Sequence, residues 1–253
     1  MKRYIFLTIT LMLSCFKVGA SYLPEKDFTI ANEYYKKAKY DSAIIKYEGI
    51  LAKGYESAEV YYNLGNSYYK KNNIPRAILN YERARLLKPN DDEINFNLQL
   101  AQTMVVDKIN ALPEFFLKRW WHSFSYLFSS DTWAVISIST FILMLISIGF
   151  YLFTSHSMLK KLSFYFAILL LLISGISLSH SLSLKREITS HQTAIIMTPT
   201  VNVKSSPDEN GTEIFVIHEG TKVKIIDQVG DWVRIKIADG NNGWLKVNDM
   251  EKI

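Results

Sequence analysis

The residue types that most often perform chemistry are present in this chain but not in working arrangements. The histidines at 122, 156, 180, 191 and 218 are scattered, and none pairs with a second one at the one-turn spacing that HExxH zinc sites use. The chain contains no glycine-rich phosphate loop and no Gly-x-Ser-x-Gly elbow. Cys15 is the single cysteine. If the N-terminal segment is removed, no disulfide, thiol chemistry or cysteine-based metal site remains. His180 sits among serines near the end of an apolar stretch, which reads as a histidine at a membrane boundary rather than a proton relay. Ser174, Ser177 and Ser181 form a stripe of small residues that suits close helix packing. The expectation is a protein without catalytic residues, metal or cofactor, one that binds.

The binding chemistry lies in an aromatic pattern. Residues 58–91 read AEVYYNLGNSYYKKNNIPRAILNYERARLLKPND. Tyr61, Leu64, Gly65 and Tyr68 fall on one helical face, followed by Ala77, Tyr81 and Ala84 on a second and by Pro89, which has no N–H to continue a helix. Gly65 and Ala77 are small where two antiparallel helices must cross closely. This segment resembles a tetratricopeptide repeat, a helix–turn–helix unit of about 34 residues. The pattern recurs one period earlier with Ala31, Tyr34, Ala43 and Tyr47, with Tyr40 at the turn. We therefore read repeats over 24–57 and 58–91 and a capping helix over 91–108, started by Asn90 or Asp91. Such arrays usually need about three repeats, so this one should lean on its membrane-proximal helix, a second copy of the chain or a partner.

The resemblance implies which residues bind. In tetratricopeptide repeats the first helix of each unit lines the concave side, which selects Phe28, Asn32, Tyr35, Glu59, Tyr62, Asn66 and Tyr69 for protein contacts. Tyrosines in such a face give large contact area at little cost in rotamer entropy. Asn32 and Asn63 match the asparagines of the carboxylate clamp found in some relatives, but its basic places hold Phe28, Glu93 and Asn97. That argues for an extended peptide or helix of mixed character.

The rest of the chain is organised by apolar segments. Lys2 and Arg3, an apolar run over Tyr4–Phe16 and the small residues Val18-Gly19-Ala20 resemble a secretory signal over 1–20. A lipidated Cys15 is the alternative. Residues 132–159 contain no Asp, Glu, Lys or Arg, and a second uncharged stretch spans 162–184. Each is longer than the ~20 residues needed to cross a bilayer. They read as transmembrane helices at 132–154 and 162–184. Phe116, Trp120, Phe124 and Leu127 or Phe128 give 113–131 an aromatic helical face suited to the lipid–water boundary. If the signal exports residues 21–131, the chain sits in a bacterial inner membrane with both soluble parts on the periplasmic side. The formal net charge of +5 gathers in the leader and membrane flanks, which argues against nucleic acid as a partner.

From 193 to 253 short alternating runs (Ile195–Met197, Val201–Val203, Ile214–Ile217, Val223–Ile226, Trp232–Ile237 and Gly243–Val247) are separated by Gly-containing turns. NVKSSP, GDWVRIK and DGNNGWL resemble a bacterial SH3-like (SH3b) domain. The resemblance places Trp232 and Trp244 in the core or along a shallow groove, and it implies a wall peptide or peptidoglycan as one class of ligand. The fold class is thus multi-domain: an α-helical solenoid, a two-helix membrane hairpin and an all-β barrel.

The order of these parts is similar to the BatE-type component of the Bacteroides-type aerotolerance system. That resemblance implies work beside membrane proteins with von Willebrand A domains and a MoxR-type ATPase. The reading is a membrane-anchored adaptor, with wall binding or sensing as the alternative and self-association left open.

Overall fold

A computed structural model describes residues 24–109, 112–113 and 115–253. The signal-like segment and Cys15 lie outside the described residues. Five helices come first: α1 (Glu25–Lys36), α2 (Tyr40–Leu51), α3 (Ala58–Lys70), α4 (Ile74–Leu87) and α5 (Asp92–Thr103). The starts of α3, α4 and α5 are fixed locally. Ser57 Oγ accepts from Val60 N–H, Asn73 Oδ1 from Arg76 N–H, and Asp91 Oδ1 from both Glu93 and Ile94 N–H, satisfying donors that a helix start leaves unpaired. Gly65 is needed because α3 and α4 cross there: a Cβ would stand 2.7 Å from the Tyr81 ring and 3.3 Å from the Ala77 carbonyl.

Next come a short aromatic helix, α6 (Phe116–Ser125), and two long ones, α7 (Ser130–Phe153) and α8 (Ser157–Ser190). Both are long and apolar enough to cross a membrane, and little of each is buried within the protein. They form an antiparallel hairpin whose seam is serine. Ser137 and Ser174 each donate to the other's carbonyl at 3.0 Å, and Ser130 and Ser181 do the same at 3.1 and 2.9 Å. Small hydroxyl residues let the backbones approach and satisfy themselves inside the pair. At 34 residues, α8 is about 51 Å long, well beyond a hydrocarbon thickness of about 30 Å. Its last turns therefore reach the barrel.

The top of the hairpin holds α6. His180 is fully buried, with Nδ1 2.6 Å from Ser125 Oγ. Its ring packs between Trp121, Phe124 and Trp133 at centroid distances of 4.4, 5.3 and 5.0 Å, and Trp133 Nε1 donates to the Ser125 carbonyl at 2.8 Å. His180 thus pins the aromatic helix to the membrane pair. The aromatic face expected from the sequence is divided: Phe124 packs on His180, while Phe116 and Trp120, which stacks on Phe124, remain exposed two turns and one turn earlier in α6.

The C-terminal part is one seven-stranded antiparallel sheet in the order β3-β2-β6-β5-β4-β1-β7. The strands are β1 (Thr193–Ile196), β2 (Thr200–Lys204), β3 (Glu213–His218), β4 (Lys222–Val229), β5 (Trp232–Lys236), β6 (Asn242–Lys246) and β7 (Met250–Lys252). Val203, Ile217, Val233, Ile235 and Leu245 fill the interior. The strand β7 escapes sequence reading because three residues carry no alternation; it exists through its pairing with β1.

Within the chain, the barrel supports the short helical array. Ile195 and Ile253 enter the same buried cluster as Ile78, Leu79 and Val105. Gly220, at φ +83°, lets the β3–β4 turn lie against Val105 and Ile78. Around this apolar patch the polar contacts are dense. Asp107 accepts from His218 N–H at 2.7 Å and Thr221 Oγ1 at 2.6 Å, with His218 Nδ1 at 2.7 Å. Buried Glu82 is met by Arg85 at 2.6 Å and Lys222 at 3.0 Å. Arg83 reaches Glu251 at 3.2 Å and the Lys252 carbonyl at 2.5 Å.

Asp107 gives this seam an acid limit. Burial raises its pKa, but the hydrogen bonds from Thr221 and from the His218 backbone and ring together hold it below the usual value. A carboxyl depressed on folding adds stability that is complete above its unfolded value, near 4, and disappears as pH falls through the folded one. Asp107→Asn should therefore lower the melting midpoint at pH 7 by roughly 3–10 °C. The gap from the native chain should close below about pH 4. Circular-dichroism melts of both chains in detergent across pH 3–7 check this.

Candidate binding surfaces

The helices α1, α3 and α5 lie side by side on the face away from the barrel, which touches α4 and the segment after α5. This face carries the seven groove residues expected from sequence. Their spacing gives it rows 34 residues apart: Phe28 and Tyr62, Asn32 and Asn66, Tyr35 and Tyr69.

The middle row is a hydrogen-bond ladder. Asn32 Oδ1 accepts from Tyr47 Oη at 2.5 Å and from Asn63 Nδ2 at 3.1 Å. One repeat later, Asn66 Oδ1 accepts from Tyr81 Oη at 2.7 Å and from Asn97 Nδ2 at 3.0 Å. The same two bonds recur because the same three residues, Asn, Tyr and Asn, recur at the same offsets. Asn97 Nδ2 also donates to Tyr62 Oη at 3.0 Å. Burial pushes the Tyr47, Tyr62 and Tyr81 phenols upward, so these hydroxyls stay protonated donors. Each ladder asparagine is held from below by a buried tyrosine and from the side by the next helix. Both ladder oxygens are thus occupied within the protein.

The aromatic residues around the ladder are half-buried, packed at their bases. Phe28 meets the Tyr47 ring at 6.1 Å, Tyr62 meets Tyr81 at 6.1 Å, and Tyr35 meets Tyr40 at 5.5 Å. Such rings are rigid anchors that lose little freedom on binding. Glu59 differs from the other six. Its carboxylate is engaged by Lys88 at the end of α4, which puts it at the rim. Three further residues belong to the face. Phe96 and Leu100 of α5 are 64% and 41% exposed, large apolar side chains standing in open solvent, and Asn97 closes the ladder. Adding one period to Tyr62, Asn63 and Asn66 points to all three, a signal the fading third repeat obscured.

The barrel offers a second surface. Along β5 and β6, Val233, Ile235 and Leu245 face inward, so Trp232 and Trp244 face outward. They are not equivalent. Trp232 lines a groove of about 350 Å³ together with Thr200, Lys204, Glu209, Lys246 and Asp249. Trp244 instead stands opposite Arg234 and Lys204 in the strand register. Among the described residues, no cluster of His, Cys, Asp and Glu is placed to hold a metal ion.

Comparison with known families agrees with this division. Residues 58–91 match the tetratricopeptide repeat model, and residues 199–250 match the bacterial SH3 domain model. No curated protein matches the chain. Two modules built for interaction are therefore present, joined by two helices of membrane-spanning length.

The ladder makes a stability prediction. Asn66→Ala removes the acceptor of Tyr81, which is 1% exposed, and of Asn97. It should cost about 1–3 kcal/mol, read from urea unfolding of the detergent-solubilised chain. Glu59→Ala at the rim should change the same curve by less than about 1 kcal/mol.

Proposed function

We propose that this chain is a membrane-anchored adaptor that holds other envelope proteins. The observation that carries this reading is the α1–α3–α5 face: a repeated, internally braced Asn–Tyr ladder flanked by half-buried aromatic rings and by exposed Phe96 and Leu100. Side chains braced this way are preorganised, which lowers the entropy cost of binding. An extended peptide segment fits best, because the aromatic rows suit its apolar side chains.

The hairpin α7–α8 is the anchor, and the exposed aromatic face of α6 seats the protein at the lipid boundary. Because the barrel packs on the repeats, both lie on one side of whatever membrane the hairpin crosses. The signal-like start then puts that side in the periplasm of an inner-membrane protein. The order of modules favours a place in an aerotolerance-type complex of the BatE kind, beside membrane proteins with von Willebrand A domains. Wall binding through the barrel is the second reading, and the open Trp232 groove favours it.

Co-purification from detergent tests the adaptor. Replacing Tyr62, Asn66 and Tyr69 together by Ala should reduce recovery of cross-linked partners at least about tenfold, since contacts at such anchors are commonly worth more than 1 kcal/mol each. Unchanged recovery from a chain that still melts cooperatively would remove the proposed face. Protease added to intact spheroplasts should cut both the repeats and the barrel; protection of either would reverse the topology.

A further inference from the structure

The groove beside Trp232 already holds an anion, and the anion belongs to the protein. Lys204 Nζ and Lys246 Nζ lie 5.6 and 5.7 Å from the centroid of the Trp232 ring. The Lys204 side chain is only 16% exposed, a cation largely withdrawn from water, which is costly without a negative partner. Glu209 supplies it from the loop between β2 and β3. One carboxylate oxygen is 2.5 Å from Lys246 Nζ and the other 3.9 Å from Lys204 Nζ, and the Glu209 carbonyl also accepts from Lys204. Lys246 holds the Glu209 carboxyl below its usual pKa, and Glu209 raises the pKa of Lys246.

This is a weakly held occupant. The Glu209 side chain is 66% exposed, and ion pairs at such exposure contribute little. Among the described residues its carboxylate has no partner besides the two lysines. A ligand carboxylate in the same place would keep both lysine contacts and add apolar contact with the indole. We propose that the Trp232 groove is a carboxylate-binding site for a short peptide ligand, and that Glu209 fills the anion position in the free protein.

Charge selects the ligand class. With Glu209 withdrawn, the groove keeps the two lysines and one acid, Asp249, which is fixed by a 2.8 Å hydrogen bond from Thr198 Oγ1. The remaining single positive charge matches a monoanionic carboxylate better than a phosphate dianion. The outer indole suits the apolar atoms next to a peptide carboxylate. This inference is independent of the role assigned to the helical repeats, because it concerns another surface and another ligand.

Calorimetric titration of the full chain in detergent tests it, with acetyl-Ala-Ala-Ala as the probe and its C-terminal amide and inorganic phosphate as controls. Glu209→Ala removes the internal competitor and should tighten binding of the carboxylate peptide about fivefold. The amide and phosphate should give no saturable heat. Adding Lys246→Gln to Glu209→Ala should abolish the gain. Equal affinity of the native and Glu209→Ala chains, equal binding of the amide, preferential binding of phosphate, or no binding by either chain would each overturn the proposal. The substituted side chains, Glu209 and Lys246, are exposed, so both variants should still melt cooperatively.

Discussion

The seam between α4 and the barrel is the contact on which the rest of this molecule depends. Helical arrays of this kind usually need about three repeats to bury enough surface. Here Ile78, Leu79 and Val105 are completed by Ile195 and Ile253 from the other end of the chain. An apolar patch of that size would permit sliding. Asp107 and Glu82 prevent it, because each is withdrawn from water and each receives groups from the barrel that match it in charge or in hydrogen-bonding sense. Buried polar groups of this kind fix a unique arrangement, since any other would leave them unpaired.

That fixed arrangement determines what the surfaces can do. The repeats turn α4 toward the barrel, leaving the α1–α3–α5 face free. The barrel turns β1 and β7 toward the repeats, leaving the β2–β6–β5 face with Trp232 free. The long helix α8 runs into β1 without an intervening flexible linker, and His191, with φ 45°, makes the corner and reaches the Ile253 carbonyl at 2.8 Å. The apolar hairpin, barrel and repeats are therefore joined by packed elements.

The outward face of α1 and α3 was legible because repeats convert position into geometry. Once Gly65 and Tyr81 fix which faces of α3 and α4 touch, the outward face of α3 follows, and a shift of one period transfers it to α1. The same shift reaches Phe96, Asn97 and Leu100, yet the third unit hides it. The places equivalent to Tyr61, Gly65 and Tyr68 hold Asn95, Gln99 and Gln102, which suit solvent rather than a following helix, so the apolar pattern ends one helix early. The difference between Trp232 and Trp244 was not legible. Both alternate outward in sequence, and only the 205–212 loop, folding Glu209 over one of them, makes a groove there.

The sequence by itself determined most elements: helices from period and caps, two long apolar helices from uninterrupted apolar length, and β1–β6 from alternation. All of these depend on interactions between near neighbours in the chain or on an exact repeat. Tertiary structure decided the rest. The contacts of Asp107 with His218 and Thr221, of Glu82 with Lys222, and of His180 with Ser125 join residues 55 to 140 positions apart. No local pattern encodes such partners, because each side chain alone reads as an ordinary polar residue and acquires its role only when a remote element is packed against it.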